Sequence, residues 1–383
     1  MIDANKVIIR RAKKSDMEKL KEFFIKTYGE STVFQDENFL LYYYRTIYND
    51  LDPLYYSVVG VTKKGDIVSH YGGLDYKFIL NNSVISLIWG VNAFTLPEWR
   101  GKGINSKIVS FISENNEANA VIGMPFDAPY FYKQNGYNIF NKETFCRFIY
   151  ALDLKTFDIT SYLSFSREKV NQILKVKNPD NVQIDSEKIV ELSEDNCNNY
   201  IFDLEVDANL IATTYREINF LKWRVFENPY INYKVFGHLK KDRIISYVVI
   251  REETLLPMSY KVNRIIDLFG NKEGVVNLLN HTINYSVLNN SIYIDFSKYG
   301  KLYEEELIQI GFDKLENDDV CILPMVTAPI ENRPNHEFIT IQSKLHNNEI
   351  HSLSVENVYF TRIDADRDRI ARISQIIQQP TIR

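Results

Sequence analysis

The sequence predicts an α/β chain built as two successive halves. Three observations carry this expectation. Pro97-Glu98-Trp99-Arg100-Gly101-Lys102-Gly103-Ile104 sets two glycines and two cations where a β-rich run, Val84 to Thr95, gives way to the apolar-periodic segment Ile108 to Ile112. Downstream, Ala120-Val121-Ile122-Gly123 reads as a short buried strand, and Tyr130 to Tyr137 reads as a short helix with a Gly stop. From Ile184 onward the same order of strands and helices begins again.

Ile8-Ile9-Arg10-Arg11-Ala12 is the opening strand, and Ser15-Asp16 caps a helix through Met17, Leu20 and Phe24. Tyr55 to Val61 and Asp66 to Leu80 form a hairpin around Lys63-Lys64-Gly65-Asp66. The turn after Thr95 suits a pyrophosphate. Glycines let the backbone approach an anion, the free N–H groups of a first helical turn point at it, and the helix dipole adds positive potential. Arg100, Lys102 and Lys107 add charge nearby. Alone, such a turn is also compatible with a simple tight connection; the tyrosine helix that follows it shifts the balance toward a binding loop.

The polar stretch from Ala151 to Asn181 reads as a linker. After it come a strand at Ile184, a helix after Ser193, a hairpin across Lys240-Lys241-Asp242 and strands at Ile244 to Arg251 and Arg264 to Phe269. A helix near Val275 to Val287, a strand at Ile292 to Phe296 and Leu307 to Phe312 complete the echo. The expected domains are residues 1–150, a linker at 151–182, a second half at 183–330 and a C-terminal extension at 331–383. The turn of the second half, Ile266 to Gly274, carries Asp267 and Glu273, which would repel a pyrophosphate, and it has no equivalent tyrosine before Gly311-Phe312.

A chain of 383 residues with 45% hydrophobic content, 25 Tyr and 23 Phe can bury two cores. No apolar run has the length of a signal peptide or a membrane span, so a cytoplasmic location is expected. Three separated cysteines, Cys146, Cys197 and Cys321, argue against disulfides, and neither they nor the six histidines show metal spacing, so no metal is expected. The formal charge of −5 argues against a general nucleic-acid surface. The aromatic content is compatible with a homodimer.

The paired motifs resemble those of the GCN5-related N-acetyltransferases, the GNAT superfamily. The family's acyl-CoA loop has Arg or Gln, two residues, Gly, one residue, then Gly or Ala. Arg100, Gly103 and Asn105 occupy those positions, Asn105 departing from the pattern. The family's later Tyr, three residues, Gly, aromatic signature is met by Tyr132, Gly136 and Tyr137. The resemblance covers residues 1–150 and implies a mixed, largely antiparallel sheet flanked by helices, with acetyl-CoA as co-substrate. It implies that Arg100, Gly101, Lys102, Gly103, Ile104 and Asn105 hold the pyrophosphate. The backbone of Phe94 and Thr95 would then line the pantetheine arm, and Tyr132 would donate a proton to the departing thiolate.

Phe220-Leu221-Lys222-Trp223-Arg224 resembles a Leu-x-Trp-Arg signature of two-half GNAT-like proteins of bacterial surface-polysaccharide synthesis, as does Tyr359 to Arg369 near the C-terminus. Trp223 and Arg224 are suited to stacking on a sugar or nucleotide and gripping its phosphate. A packed Trp beside an ion pair is the competing reading, and a solvated charged tail is the one for the C-terminal run.

The general base is open. The strand Leu87 to Phe94 has no carboxylate where many relatives use Glu, which leaves His70, Asp75 and Asp127 as candidates; each is also readable as a core, hairpin or capping residue. Deprotonating a lysine at pH 7 costs about 4–5 kcal/mol, and an amine of pKa near 8 only about 1–1.5 kcal/mol. A weakly basic small-molecule amine is therefore expected, first a nucleotide-linked amino sugar. An amino acid, peptide or aminoacyl carrier is the alternative acceptor, and a non-catalytic acyl-CoA-binding scaffold is the alternative function.

Overall fold

The computed structural model describes residues 7–124, 127–140, 145–179, 185–205, 207, 209–315, 322–327, 330–331, 338–370 and 372–373. They fall into two compact units, one of Met1–Phe140, Phe338–Ser352 and Ala365–Arg383, the other of Asn141–Glu337 and Leu353–Asp364. Cys321 lies outside the described residues.

The first unit has strands β1 (Ile8–Arg11), β2 (Val58–Val61), β3 (Ile67–Leu80), β4 (Ser83–Thr95), β5 (Ala118–Ile122) and β6 (Asn138–Phe140), with helices α1 (Met17–Tyr28), α2 (Glu37–Tyr44), α3 (Ile104–Asn115) and α4 (Ala128–Gln134). β1 to β4 are antiparallel neighbours, whereas β4 and β5 run parallel because α3 carries the chain back between them. Helix α1 follows a turn held by Asp16, whose carboxylate accepts from the Lys13 N–H at 2.9 Å and from both Arg10 terminal nitrogens at 2.7 and 2.8 Å. Asp36 caps α2 by accepting from the Phe39 N–H at 2.7 Å. These helices bury Phe23, Phe24, Phe39 and Tyr43 on one face of the sheet, each contributing about 1.5–3 kcal/mol. On the opposite face Ile104 of α3 comes so close to Gly60 of β2 that an added Cβ would lie 3.3 Å from it.

Chain order departs from the expected domains at one place in each unit. The far edge of β5 is paired antiparallel by Ile339–Gln342, which also pairs with β6. The strand that follows β6 in sequence, Phe145–Ala151, belongs to the second unit, antiparallel to Ser291–Tyr299. The first domain therefore ends at Phe140 rather than residue 150, and part of residues 331–383 completes its sheet instead of forming an extension. Open backbone groups along an edge demand a partner, and either segment satisfies that need.

In the second unit the sheet repeats the first. Ile189–Leu192, Tyr233–Lys240, Arg243–Leu255 and Tyr260–Gly270 are successive antiparallel neighbours, and Tyr260–Gly270 runs parallel to Ser291–Tyr299 across the helix Lys272–Leu288. That helix buries Val275, Leu278, Leu279 and Ile283, and its first turn is capped from within, Asn271 Oδ1 accepting from the Glu273 N–H at 2.9 Å. The architecture is thus a mixed α/β fold whose sheets are mostly antiparallel, in two similar halves.

Candidate active site

The two halves differ in what lies beyond their parallel pair of strands. In the first unit the ladder between β4 and β5 runs from Leu87–Ala118 to Gly90–Val121 and stops, while β4 continues to Thr95. The two strands part after Gly90. A register shift opposite β3, between His70 and Gly72, and a positive φ of 51° at Asn92 mark a bulge in β4 at this place. The residues of β4 that the bulge leaves without a partner in the ladder are Asn92 and Ala93, while Phe94 and Thr95 pair with His70 and Ser69.

Thr95 leads into a 3-10 turn, Pro97–Trp99, and then into Gly101 and Gly103, with φ of 70° and 71°. A Cβ on either glycine would meet open space, so the left-handed backbone angle is what favours glycine at both positions. Gly103 is the N-cap of α3 and has no side chain to cap it, which leaves the first helical N–H groups of Ile104 and Asn105 directed out of the helix end. Arg100 is exposed; its Nε donates to the Thr95 carbonyl at 3.0 Å and its guanidinium lies 4.8 Å from the centre of the Phe94 ring. Lys102 donates to the Glu98 carbonyl and sits 5.2 Å over Trp99. Ile104 is buried and anchors the turn, while Asn105 is half-buried. Open glycines, an uncapped helix end and two placed cations fit a pyrophosphate.

Tyr132, on α4, is buried, its ring 5.1 Å from that of Tyr137. Burial holds its phenol protonated, far above its ordinary pKa. The same two phenols act on Tyr71 of β3, which burial also raises. Tyr71 faces Gly90, the last residue of β4 to pair with β5. The expected proton donor is therefore gathered with Tyr71 and Tyr137 where the strands part.

The candidate bases fare differently. His70 is 1% exposed and ringed by Phe24, Tyr44 and Phe23 at centroid distances of 4.9, 5.9 and 6.1 Å. Its Nδ1 bonds the Asn92 carbonyl at 3.1 Å, and burial pulls its pKa down to about 4. The relay through water expected of it has no opening, because Nε2 is enclosed. His70 instead fixes the bulge. Asp75 accepts from Thr46 Oγ1 at 2.6 Å on the closed part of the sheet, paired in register with Ile88. Asp127 stands exposed at the start of α4 and makes no capping bond.

Trp223 and Arg224 lie in the second unit, 1% and 6% exposed. Arg224 Nη2 donates to the Ile363 carbonyl at 3.3 Å, and its guanidinium is 5.4 Å from the Trp223 ring centre. Both side chains are packed inside the unit, as the competing reading of a packed Trp has it. Asp267, expected to repel an anion, is likewise buried and bound to Arg216 at 2.9 Å.

In that unit the parting of the parallel strands is filled by the chain itself. Val358–Thr361 pairs with Lys298 and Tyr299, the Ile363 N–H donates to the Ile266 carbonyl at 3.2 Å, and the Tyr359 hydroxyl donates to the Leu268 carbonyl. Tyr303 Oη bridges the N–H and C=O of Gly270 at 3.0 and 2.6 Å. At the end of β4 the recorded side-chain bonds are those of His70 Nδ1 with the Asn92 carbonyl, Ser69 Oγ to the Phe94 carbonyl at 3.2 Å and Arg100 Nε to the Thr95 carbonyl at 3.0 Å. Sequence reasoning missed this filling, though Tyr359 to Thr361, apolar and β-branched, carried its signal.

Among the described residues no group of three or more His, Cys, Asp or Glu is placed to hold a metal, and no helix is long and apolar enough to cross a membrane.

Residues 8–140 match the model of the acetyltransferase (GNAT) domain. A search of curated proteins finds no match. Among solved structures, a probable N-acyltransferase from Enterococcus faecalis V583 superposes with a TM-score of 0.55 at 13% identity, over 89% of this chain and 73% of that one. A GCN5-related N-acetyltransferase from Anabaena variabilis gives 0.54 at 9%, over 87% and 72%. The Saccharomyces cerevisiae N-myristoyltransferase with bound myristoyl-CoA gives 0.52 at 6%, over 89% and 83%. At these identities the likenesses show a shared two-half fold.

Proposed function

We propose, from the premise that residues 8–140 carry a GNAT acetyltransferase domain and support an N-acyltransferase, that this chain transfers acetyl from acetyl-CoA to a weakly basic small-molecule amine. The observation that carries the reading is the opening of β4 from β5 after Gly90, flanked by the uncapped start of α3 and by Tyr132.

Acetyl-CoA supplies an acyl group activated as a thioester. The α3 N–H groups, Arg100 and Lys102 would hold its pyrophosphate, and the backbone of Phe94 and Thr95, just past the bulge, would line the pantetheine arm. Transfer forms the amide C–N bond and breaks the thioester C–S bond. Tyr132 Oη donates to the sulfur as that bond breaks, and the amine's proton leaves to solvent. A phenol held protonated by burial suits a donor, and a site whose buried histidine is neutral and enclosed suits an amine that gives up its proton at small cost. Nucleotide-linked amino sugars for surface-glycan synthesis, a cytoplasmic process, are the first acceptor class on this reading.

Isothermal titration with acetyl-CoA tests it. Micromolar binding that weakens about tenfold or more in the Arg100→Ala/Lys102→Ala double variant supports the loop assignment, since each charge-assisted contact contributes about 1.5–3 kcal/mol. Binding indifferent to both substitutions overturns it.

A further inference from the structure

The segment after Asp364 returns to the first unit and is tied along it at successive points. The Ala365 carbonyl accepts from the Tyr76 hydroxyl at 3.4 Å, and the Arg367 side chain covers Gly123 at the end of β5. Arg372 bridges Thr32, and the Ile373 N–H donates to the Ser31 carbonyl at 3.0 Å. The strap therefore runs from the end of β5 to the turn between α1 and α2.

On this strap sits Arg369. Its guanidinium lies 4.9 Å from the Phe34 ring centre, and its charge acts on the phenols of Tyr28, Tyr43 and Tyr44. Tyr28 is 42% exposed, with its ring 5.8 Å from Phe34 and 6.2 Å from Phe94, the residue over which Arg100 lies. An aromatic row, Phe94, Tyr28 and Phe34, thus connects the loop cation to the strap cation. This row lies on the α1–α2 face, with His70, whereas Tyr132 lies with Tyr71 beyond the other face of β3. The row and Arg369 therefore stand on the face of β3 opposite Tyr132.

The ion pair of Arg369 with Asp366 is long. Its Nε meets Asp366 Oδ2 at 3.4 Å, longer than the 2.7–2.9 Å usual for charged partners, and the side chains of Arg369 and Asp366 are 23% and 20% exposed. Aromatic packing and a bond from Nη1 to the Ile370 carbonyl at 3.1 Å fix the guanidinium, while its contact with the Asp366 carboxylate is long. That is the state of a cation able to exchange its carboxylate for a better-placed anion.

We propose that Arg369 binds an anionic oxygen group on the acceptor, so that the acceptor is an amine that also carries a carboxylate or a phosphate. This rests on the acyl-transfer reading above and sharpens it. A nucleotide-linked amino sugar would offer its diphosphate and an amino acid its carboxylate; the shared chemistry is the anion.

Initial rates of CoA release by the full chain, with uridine-diphosphate glucosamine, glucosamine and glycine as acceptors, test the assignment. The native protein prefers one of the two anionic acceptors to glucosamine. Arg369→Gln raises KM for that acceptor about tenfold or more, leaves kcat within about twofold, and leaves KM for glucosamine and the affinity for acetyl-CoA unchanged; Arg369→Lys recovers part of the loss. The two anionic arms separate diphosphate from carboxylate. An equal loss on charged and neutral amines, or a native preference for glucosamine, overturns the role of Arg369 alone. Tight acetyl-CoA binding with no transfer to any of the three overturns the transferase reading, and this assignment with it.

Discussion

Tyr71 and Gly90 compete for one space: a Cβ built on Gly90 would lie 1.8 Å from the Tyr71 hydroxyl oxygen. Gly90 is the last residue of β4 to pair with β5, so the phenol is seated where the strands part because no side chain stands there. Gly90→Ala is expected to push Tyr71 against Tyr132 and Tyr137. Overpacking of a buried site costs about 1–3 kcal/mol. Urea denaturation should show that loss together with weakened acetyl-CoA binding; unchanged stability would mean that the tyrosine group yields easily and does not define the opening.

Tyr132→Phe removes one oxygen from a buried ring and leaves its packing on Tyr137 in place. If the phenol donates to the departing sulfur, kcat falls about 10²-fold while the acetyl-CoA dissociation constant stays within about twofold. Steady-state rates and titration separate the two quantities. A variant with native turnover would remove Tyr132 from the chemistry.

The enclosure of His70 makes stability depend on pH. Its folded pKa of about 4 lies below the unfolded value, so the unfolded chain binds the extra proton between them. The stability from keeping the ring neutral is present above about pH 6.5 and is lost as pH falls toward 4, by about 3 kcal/mol in all. His70→Phe, which fills the aromatic cage without a titrating group, should show a shallower loss of stability between pH 7 and pH 4 than the native chain. Parallel pH profiles in urea denaturation would show that the histidine is not held neutral.

Much of the first half was legible in the sequence because its signals are local. A glycine pair between a strand and an amphipathic run, and a tyrosine helix with its Gly stop, are read within a dozen residues, and both stand where the spacing put them. Helix α2 was missed although Asp36 and the aromatic run after it announce a cap and a buried face. What stayed hidden is non-local. Nothing in Ile339 to Gln342 says that it pairs with β5 rather than with its own neighbours, nor in Phe145 to Ala151 that it joins Ser291–Tyr299. Trp223 and Arg224 have the composition of a ligand surface, and only tertiary packing decides that they are interior. Asp267 reads as a free charge until Arg216, far away in sequence, is seen beside it.

The filled opening of the second unit gives the last prediction. Tyr303 Oη satisfies both backbone groups of Gly270 at the end of the strand whose counterpart is β4, and Val358–Thr361 lies alongside. A backbone already bonded from within has no groups left for a pantetheine arm, and the helix that follows is capped by Asn271 rather than open. The chain should therefore bind one acetyl-CoA, and titration giving two would contradict this assignment. Tyr303→Phe strands the N–H and C=O of Gly270 in a buried place, a loss of about 1–3 kcal/mol per unsatisfied group. It should lower the urea midpoint without changing acetyl-CoA affinity, because the residues proposed to hold the cofactor stand on the first unit. Were the same substitution to weaken acetyl-CoA binding and spare stability, the second half would be taking part in cofactor capture.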